Sequence, residues 1–109
     1  MEHLPYMQAE VNPEAPKTLL QLRDSIDQID DELLAVLARR FEITARVGQL
    51  KAEHGLDSVD PVREQEKLQL LDQQALARGL NSEFVRVLFQ HVFDEVVKNH
   101  RTCRSKRGT

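Results

Sequence analysis

Two cations, Arg40 and Lys51, lie on an apolar helical stripe in the first half of the chain. The apolar residues recur with the three- and four-residue spacing of a helix that packs along another helix; they are Leu22, Ile26, Ile29, Leu33, Val36, Ile43, Val47 and Leu50. Arg40 stands where this series needs an apolar residue, and Lys51 follows eleven residues later, about 20° from the same direction at ~100° per residue. A buried cation is unfavourable unless an anion meets it. The pattern predicts an interior anion site, with a buried ion pair between Arg40 and a carboxylate as the alternative.

Further charged or titratable side chains could act with these cations, and they are Arg23, Asp60, Arg63, Glu64 and His100. Each also has an ordinary structural explanation. Arg23 is spaced to pair with Asp27 on a helix surface. Glu64 suits the positive end of a helix, as Lys51 suits the negative end. His100 continues the apolar stripe of the last helix, as a core histidine would.

Capping and breaking residues divide the chain into three helices. Thr18 with Gln21 resembles a capping box, and no proline follows before the stop at Gly55, which predicts a first helix over about 18–53, roughly 52 Å long. A domain of this size has a radius of gyration of only about 13 Å. The first helix therefore needs a partner along its length, which favours a homodimer.

The second predicted helix begins at Asp60-Pro61, a cap followed by proline in the first position, and runs to about Arg78 before Gly79. Its inward residues are Leu68, Leu71 and Leu76. Asn81 or Ser82 caps the third helix, which runs to about Arg101 with Val85, Leu88, Phe89, Val92, Phe93 and Val96 on its apolar face. We expect an all-α domain over 18–101, preceded by a flexible proline-rich leader (1–17) and followed by a solvated basic tail (102–109).

Helix length also constrains the anion site. Arg23 and Arg40 are 17 residues apart, ~26 Å along a straight helix, and Arg23 is ~42 Å from Lys51. One small anion touches all three only if two such helices pack antiparallel about a two-fold axis, so that Arg23 comes from the partner subunit. Guanidinium groups bind carboxylates through paired hydrogen bonds, so the expected ligand is a small di- or tricarboxylate or a phosphate.

Composition excludes several other classes of function. The 109 residues are 40% hydrophobic and 30% charged, which favours a soluble helical domain. A net charge of −3 argues against nonspecific nucleic-acid binding. The absence of a signal segment and of an 18-residue apolar run predicts a cytoplasmic protein that does not bind membranes. Cys103 is the single cysteine, so we expect no disulfide within the chain and no zinc cluster.

The order of these residues resembles the all-helical AroQ class of chorismate mutases over about residues 18–101. The similar segments are L-R-x-x-I-D-x-I-D (Leu22 to Asp30), Arg39-Arg40, V-G-x-x-K (Val47 to Lys51), D-P-x-R-E (Asp60 to Glu64) and L-x-x-x-F-V-x-x-L-F (Leu80 to Phe89). The resemblance implies an intertwined dimer that converts chorismate to prephenate by a unimolecular [3,3] rearrangement, on the route to Phe and Tyr. No metal or cofactor is implied, because the enzyme only has to hold the compact conformer and stabilise charge on the breaking ether oxygen.

The resemblance also implies roles for single residues. Arg40 and Arg23 of the partner subunit would bind the two carboxylates, and Lys51 would donate to the ether oxygen. Arg63 with Asp60 would complete the carboxylate and hydroxyl end, where Glu64 would accept from the ring hydroxyl. Two positions depart from the family: Val96 replaces a frequent Ser, and His100 replaces the Gln or Glu that usually joins the Lys.

His100 leads to a hypothesis about pH. We expect a neutral ring in the free site, since the surrounding cations oppose its charge, and protonation when a dianion binds. The rate should then show an ionisation between about 5 and 7, near the ordinary histidine value of ~6.5. The alternative is a shift of the third helix that brings Asn99 to the site.

Three other functions remain open at this point. Isochorismate pyruvate-lyase uses a similar scaffold, and a related mutase acts on 4-amino-4-deoxychorismate. A non-catalytic helical dimerisation or regulatory module would keep Arg40 in an ion pair, but it would not need Lys51, Arg63 and Glu64 at this spacing. We also expect a monofunctional chain without a fused dehydratase, dehydrogenase or sensing domain.

Overall fold

A computed structural model describes the backbone of residues 14–108 and the side chains of residues 16–102. The described chain forms three helices, α1 (Glu14–Glu53), α2 (Pro61–Ala77) and α3 (Ser82–Gly108). The prediction of an all-α chain with one long and two shorter helices is confirmed. No helix among the described residues is long and apolar enough to cross a membrane.

Two of the predicted helix boundaries are wrong. α1 begins at Glu14, four residues before the predicted capping box, because Pro16 is tolerated in a first turn whose N–H groups have no helical partner. Residues 14–17 are therefore helical, and the rest of the predicted flexible leader lies outside the described residues. α3 continues to Gly108 rather than ending near Arg101, since no glycine or proline interrupts it earlier.

The glycines after α1 and α2 end these helices in the same way. Gly55 and Gly79 have positive φ angles of 67° and 71°, which glycine adopts without strain. After α1, the Leu56 N–H donates to the Lys51 carbonyl at 2.7 Å; after α2, the Leu80 N–H donates to the Ala75 carbonyl at 2.8 Å. These six-to-one bonds are those of the Schellman motif, and they fix where the chain leaves each helix.

Side-chain caps begin the other two helices. Asp60 accepts from the Arg63 N–H at 3.1 Å, with Pro61 in the first helical position. Asn81, rather than Ser82, caps α3 by accepting from the N–H groups of Glu83 and Phe84 at 2.9 and 3.2 Å. These caps satisfy donors that a helix leaves free, and the first one orients the residues of the predicted site.

The chain falls into two units, Met1–Arg39 and Arg40–Thr109. The second unit holds the end of α1 with α2 and α3. Its buried core consists of Leu68, Leu71, Ala75, Val85 and Phe93, with Phe89 packed against it. An ion pair between Arg86 and Asp72 also joins α3 to α2.

Two residues predicted to face the core are exposed instead. Leu76 is 70% exposed, because it lies five residues after Leu71 and so points about 140° away at ~100° per residue; Ala75 takes the inward position. Leu88 is 44% exposed. The predicted inward positions of Leu68 and Leu71 are confirmed.

The apolar stripe of α1 lies open in the single chain. Its eight apolar residues are each between 42% and 60% exposed; they are Leu22, Ile26, Ile29, Leu33, Val36, Ile43, Val47 and Leu50. We call this set the α1 stripe. Scattered exposed apolar residues are normal, but a continuous row of large ones marks a surface that another element covers.

Candidate active site

A pocket of about 190 Å³ opens in the second unit between the end of α1, the start of α2 and the middle of α3. Seven of the residues predicted from the sequence line it, namely Arg40, Lys51, Asp60, Arg63, Glu64, Val96 and His100. Arg23, the eighth, is not among the lining residues and belongs to the unit Met1–Arg39. The structure therefore brings together every predicted residue except the one assigned to the partner subunit.

Helical spacing explains why α1 supplies its part of the lining. Arg40, Thr44, Val47 and Lys51 line the pocket at intervals of four, three and four residues, which places them on one face of the helix. On α2, the cap Asp60 is followed by Arg63, Glu64 and Lys67 in the first two turns. On α3, Phe93, Val96, Val97 and His100 line the same cavity.

Arg40 lies against two aromatic rings and lacks a full set of partners. Its Cζ atom lies 6.0 Å from the ring centre of Phe89 and 5.9 Å from that of Phe93, within reach of a cation–π attraction. Its Nη1 atom is buried and has no hydrogen-bond partner among the described residues. The predicted alternative, a buried ion pair of Arg40 with a carboxylate, is not found in the described part of the chain.

Burial, followed by the neighbouring charge of Arg63, lowers the pKa of Arg40 below its usual value. A guanidinium nevertheless keeps its proton under all ordinary conditions. The lowered pKa therefore means that the charged group is held at some cost in free energy. An anion that reaches Nη1 would remove that cost.

The pocket has an excess of positive charge. Its lining contains four cations, Arg40, Lys51, Arg63 and Lys67, against two carboxylates, Asp60 and Glu64. One Asp60 oxygen already accepts from the Arg63 N–H, so part of that negative charge serves the helix end. A dianion of small size suits both the volume and this charge balance.

His100 is the most buried polar residue on α3 within the described range, with 6% of its surface exposed. Its Nε2 atom lies 2.7 Å from the Thr44 carbonyl oxygen; a carbonyl only accepts, so Nε2 carries the proton. Its Nδ1 atom is buried and has no partner among the described residues. Asn99 is exposed and does not line the pocket, so the alternative shift of α3 is not observed.

Comparison with known proteins decides the family. The family model described as chorismate mutase type II matches residues 22–101, a range that contains every lining residue of the pocket. The chain belongs to this family.

Two similar proteins are much longer than this chain. It is 36% identical over 90 residues to the T-protein of Enterobacter agglomerans, an alignment that covers 83% of this chain and 23% of the relative. It is 34% identical over 79 residues to the bifunctional chorismate mutase/prephenate dehydratase of Escherichia coli, which covers 72% of this chain and 20% of the relative. The chain thus spans about a quarter or less of the length of these relatives.

The pocket of this chorismate mutase family member contains polar residues that the sequence alone did not single out, chiefly Thr44, Ser58 and Lys67. Thr44 lies four residues after Arg40, and Lys67 lies four residues after Arg63, so helical spacing from the known candidates could have found both. Ser58 is 5% exposed and lies in the turn between α1 and α2. No periodic pattern marks a residue in such a turn.

Proposed function

We propose that this chain catalyses the rearrangement of chorismate to prephenate. The observation that supports this most is the buried Nη1 atom of Arg40, which has no hydrogen-bond partner in the described part of the chain and lies in a small pocket with excess positive charge. Chorismate is a dicarboxylate, and its rearrangement is unimolecular. It therefore needs a site of this kind, made of cations and hydrogen-bond donors, and needs neither a nucleophile nor a cofactor.

The position of each lining residue supports a role in that reaction. Arg40 binds a carboxylate, and Lys51, eleven residues along the same face of α1, donates to the ether oxygen where negative charge develops. Arg63 and Asp60 lie at the start of α2 and hold the other carboxylate and the ring hydroxyl, from which Glu64 accepts a hydrogen bond. Val96 offers only an apolar contact where the family often has a hydroxyl.

A second copy of the chain completes the site in this proposal. The α1 stripe is open in the single chain, and Val47 belongs both to that stripe and to the pocket lining. A two-fold partner that covers the stripe would continue into the pocket and supply its own Arg23 as a second guanidinium. Such an antiparallel pairing gives two equivalent sites in each homodimer.

The test is conversion of chorismate by the purified chain and by its Arg40→Ala variant. The wild type should form prephenate, and the variant should lose about 10³-fold or more in kcat/KM, since a charged group that binds the transition state is worth several kcal/mol. Arg39→Ala is the matched control, because Arg39 is an exposed arginine next in the chain and should have little effect.

Other outcomes of this test identify the competing functions. Turnover of isochorismate to salicylate and pyruvate, or of 4-amino-4-deoxychorismate, in the absence of prephenate formation would replace the proposed substrate. Failure to convert any of the three would leave a non-catalytic helical module. In that case Arg40→Ala would change the free energy of unfolding without affecting the binding of any ligand.

A further inference from the structure

We propose that His100 acts on the substrate through Nδ1 only, and only in its protonated form, because a carbonyl of α1 already engages Nε2. This inference rests on the proposed mutase activity and adds a positioning role for Gly48 and for the Thr44 carbonyl. In this proposal the protonated ring is the active form.

The ring is fixed by two contacts with α1. The Nε2–H group donates to the Thr44 carbonyl at 2.7 Å. One turn further along, a Cβ atom at Gly48 would overlap Cδ2 of His100, so only glycine leaves room for the ring here. Gly48 itself is buried. Both contacts select one orientation of the imidazole.

This orientation leaves Nδ1, which is buried and has no partner among the described residues, as the single ring nitrogen that a ligand could engage. Neutral imidazole has one N–H, and it is already used, so Nδ1 of the neutral ring carries only a lone pair. The ether oxygen of chorismate also offers only lone pairs, so a neutral His100 would repel the atom on which charge develops. Protonation turns Nδ1 into a charge-assisted donor without disturbing the bond to Thr44.

The other charged groups around the pocket decide when that proton is taken up. From α1 these are Arg40 and Lys51, and from the start of α2 they are Asp60, Arg63, Glu64 and Lys67. These groups carry four positive charges against two negative ones. A bound dianion neutralises that excess, so substrate binding and proton uptake by His100 favour each other.

The pH dependence of kcat/KM and kcat tests the active charge state. For the wild type, activity should fall about tenfold per pH unit on the alkaline side of the His100 ionisation, because the donor form is lost as pH rises. In His100→Gln the amide donates at every pH, so this fall should disappear and the variant should exceed the wild type at high pH. His91→Gln is the matched control, an exposed histidine of α3 that should keep the wild-type profile.

Nitrogen NMR of histidine-labelled protein tests the atoms involved. The free protein should show His100 protonated at Nε2 and bare at Nδ1. Addition of a stable bicyclic ether dicarboxylate, shaped like the rearrangement's transition state, should protonate Nδ1 while Nε2 keeps its proton. The ring assignment in the free protein does not depend on any activity.

The outcomes separate this inference from the proposed function. The inference is wrong if prephenate forms without a fall in rate at high pH, or if His100→Gln shows the same fall as the wild type. Either result would leave the proposed mutase activity unaffected. A dicarboxylate that binds while Nδ1 stays bare would also overturn the inference and leave that activity unaffected. Absence of chorismate turnover at any pH overturns both.

Discussion

Arg40 shows how a single side chain can be prepared for an anion that is not yet bound. The guanidinium lies against the rings of Phe89 and Phe93, which attract a cation without neutralising it. One of its nitrogens, Nη1, is buried and has no hydrogen-bond partner among residues 16–102. The group is thus positioned in advance, and binding does not have to reorganise it.

The direction of the Arg40 pKa shift leads to a test with Arg40→Lys. The same burial and the same Arg63 charge that lower the pKa of Arg40 would lower that of a lysine there from its ordinary ~10.4. Since a cation with a lowered pKa loses its proton at lower pH, the variant should lose activity as pH rises through that value. Rate profiles up to about pH 10 should show this added alkaline loss in Arg40→Lys.

The Arg39→Lys variant serves as the control for this prediction. Arg39 is exposed, so a lysine there should cause no added loss of activity at alkaline pH. The Arg40→Lys variant should also be about 10²-fold less active at neutral pH, since an ammonium cannot form the paired bonds of a guanidinium. Equal profiles for both variants would contradict a role of Arg40 in binding charge.

The sequence predicts which residues form the site better than it predicts what the individual atoms of those residues contact. Periodicity was sufficient to place Arg40 and Lys51 on one face of α1, since that depends only on helix geometry. It could not assign the two nitrogens of His100, because the Thr44 carbonyl that engages Nε2 lies 56 residues away along the chain. Ser58 was missed for a related reason, as a turn residue has no repeating pattern.

At the scale of the helices, caps and stops position the site. The Asp60 cap fixes the first turn of α2, and this turn carries Arg63 and Glu64. The glycine stop after α1 turns the chain within a few residues of Lys51. The chemistry of these ends was readable from the sequence, since Asp-Pro and an isolated glycine have strong local preferences.

Boundaries without such signals were harder to predict. The start of α1 was placed four residues too late, because the prolines before Thr18 look like breakers although one of them fits a first turn. The end of α3 was placed too early because a basic run resembles a tail. Leu76 was expected in the core, but Ala75 takes the inward position of α2, at 2% exposure, because it lies four residues after Leu71 on the same face of the helix.

Gly48→Ala tests the contact between α1 and α3. Alanine favours a helix by about 1 kcal/mol over glycine, so α1 itself should not weaken. The added Cβ would collide with His100 and displace it from the Thr44 carbonyl. We expect a fall in kcat of about 10-fold or more, a smaller change in KM and loss of the fixed Nε2–H tautomer by nitrogen NMR.

A His100→Ala background provides the control for Gly48→Ala. Without the ring there is no collision, so Gly48→Ala should cause no further loss of kcat, as in a double-mutant cycle between contacting residues. Additive losses in the two variants would mean that Gly48 acts on the site by another route.

At the scale of the whole molecule, the α1 stripe and Arg23 bear on how two copies of the chain would pair. The stripe is exposed along both units, and Arg23 does not line the pocket. The notion that Arg23 comes from a partner subunit was inferred from helix length alone, and it stays a prediction.

Mixing two inactive variants tests this sharing of sites. Arg23→Ala and Arg40→Ala homodimers should each be inactive, but each hybrid dimer would contain one site with both arginines intact. After subunit exchange at equal concentrations, about a quarter of all sites should work, because half of the dimers are hybrids. Chorismate turnover before and after exchange measures the recovery.

The control for this mixture pairs Arg40→Ala with Lys51→Ala. Both of these residues lie in the same subunit's pocket, so every site of the hybrid lacks one of them and exchange should restore nothing. Recovery in this second mixture, or none in the first, would contradict a site completed by Arg23 of the partner subunit.

Because the α1 stripe is open in the single chain, the activity of each chain should depend on the protein concentration. A chain that covers its longest apolar row only by pairing is stabilised by mass action, so its melting temperature should rise with concentration. Below the dissociation constant, turnover per chain should fall in proportion to dilution and total turnover as its square. A cell that halves the supply of such a chain would then lose more than half of its flux through this step.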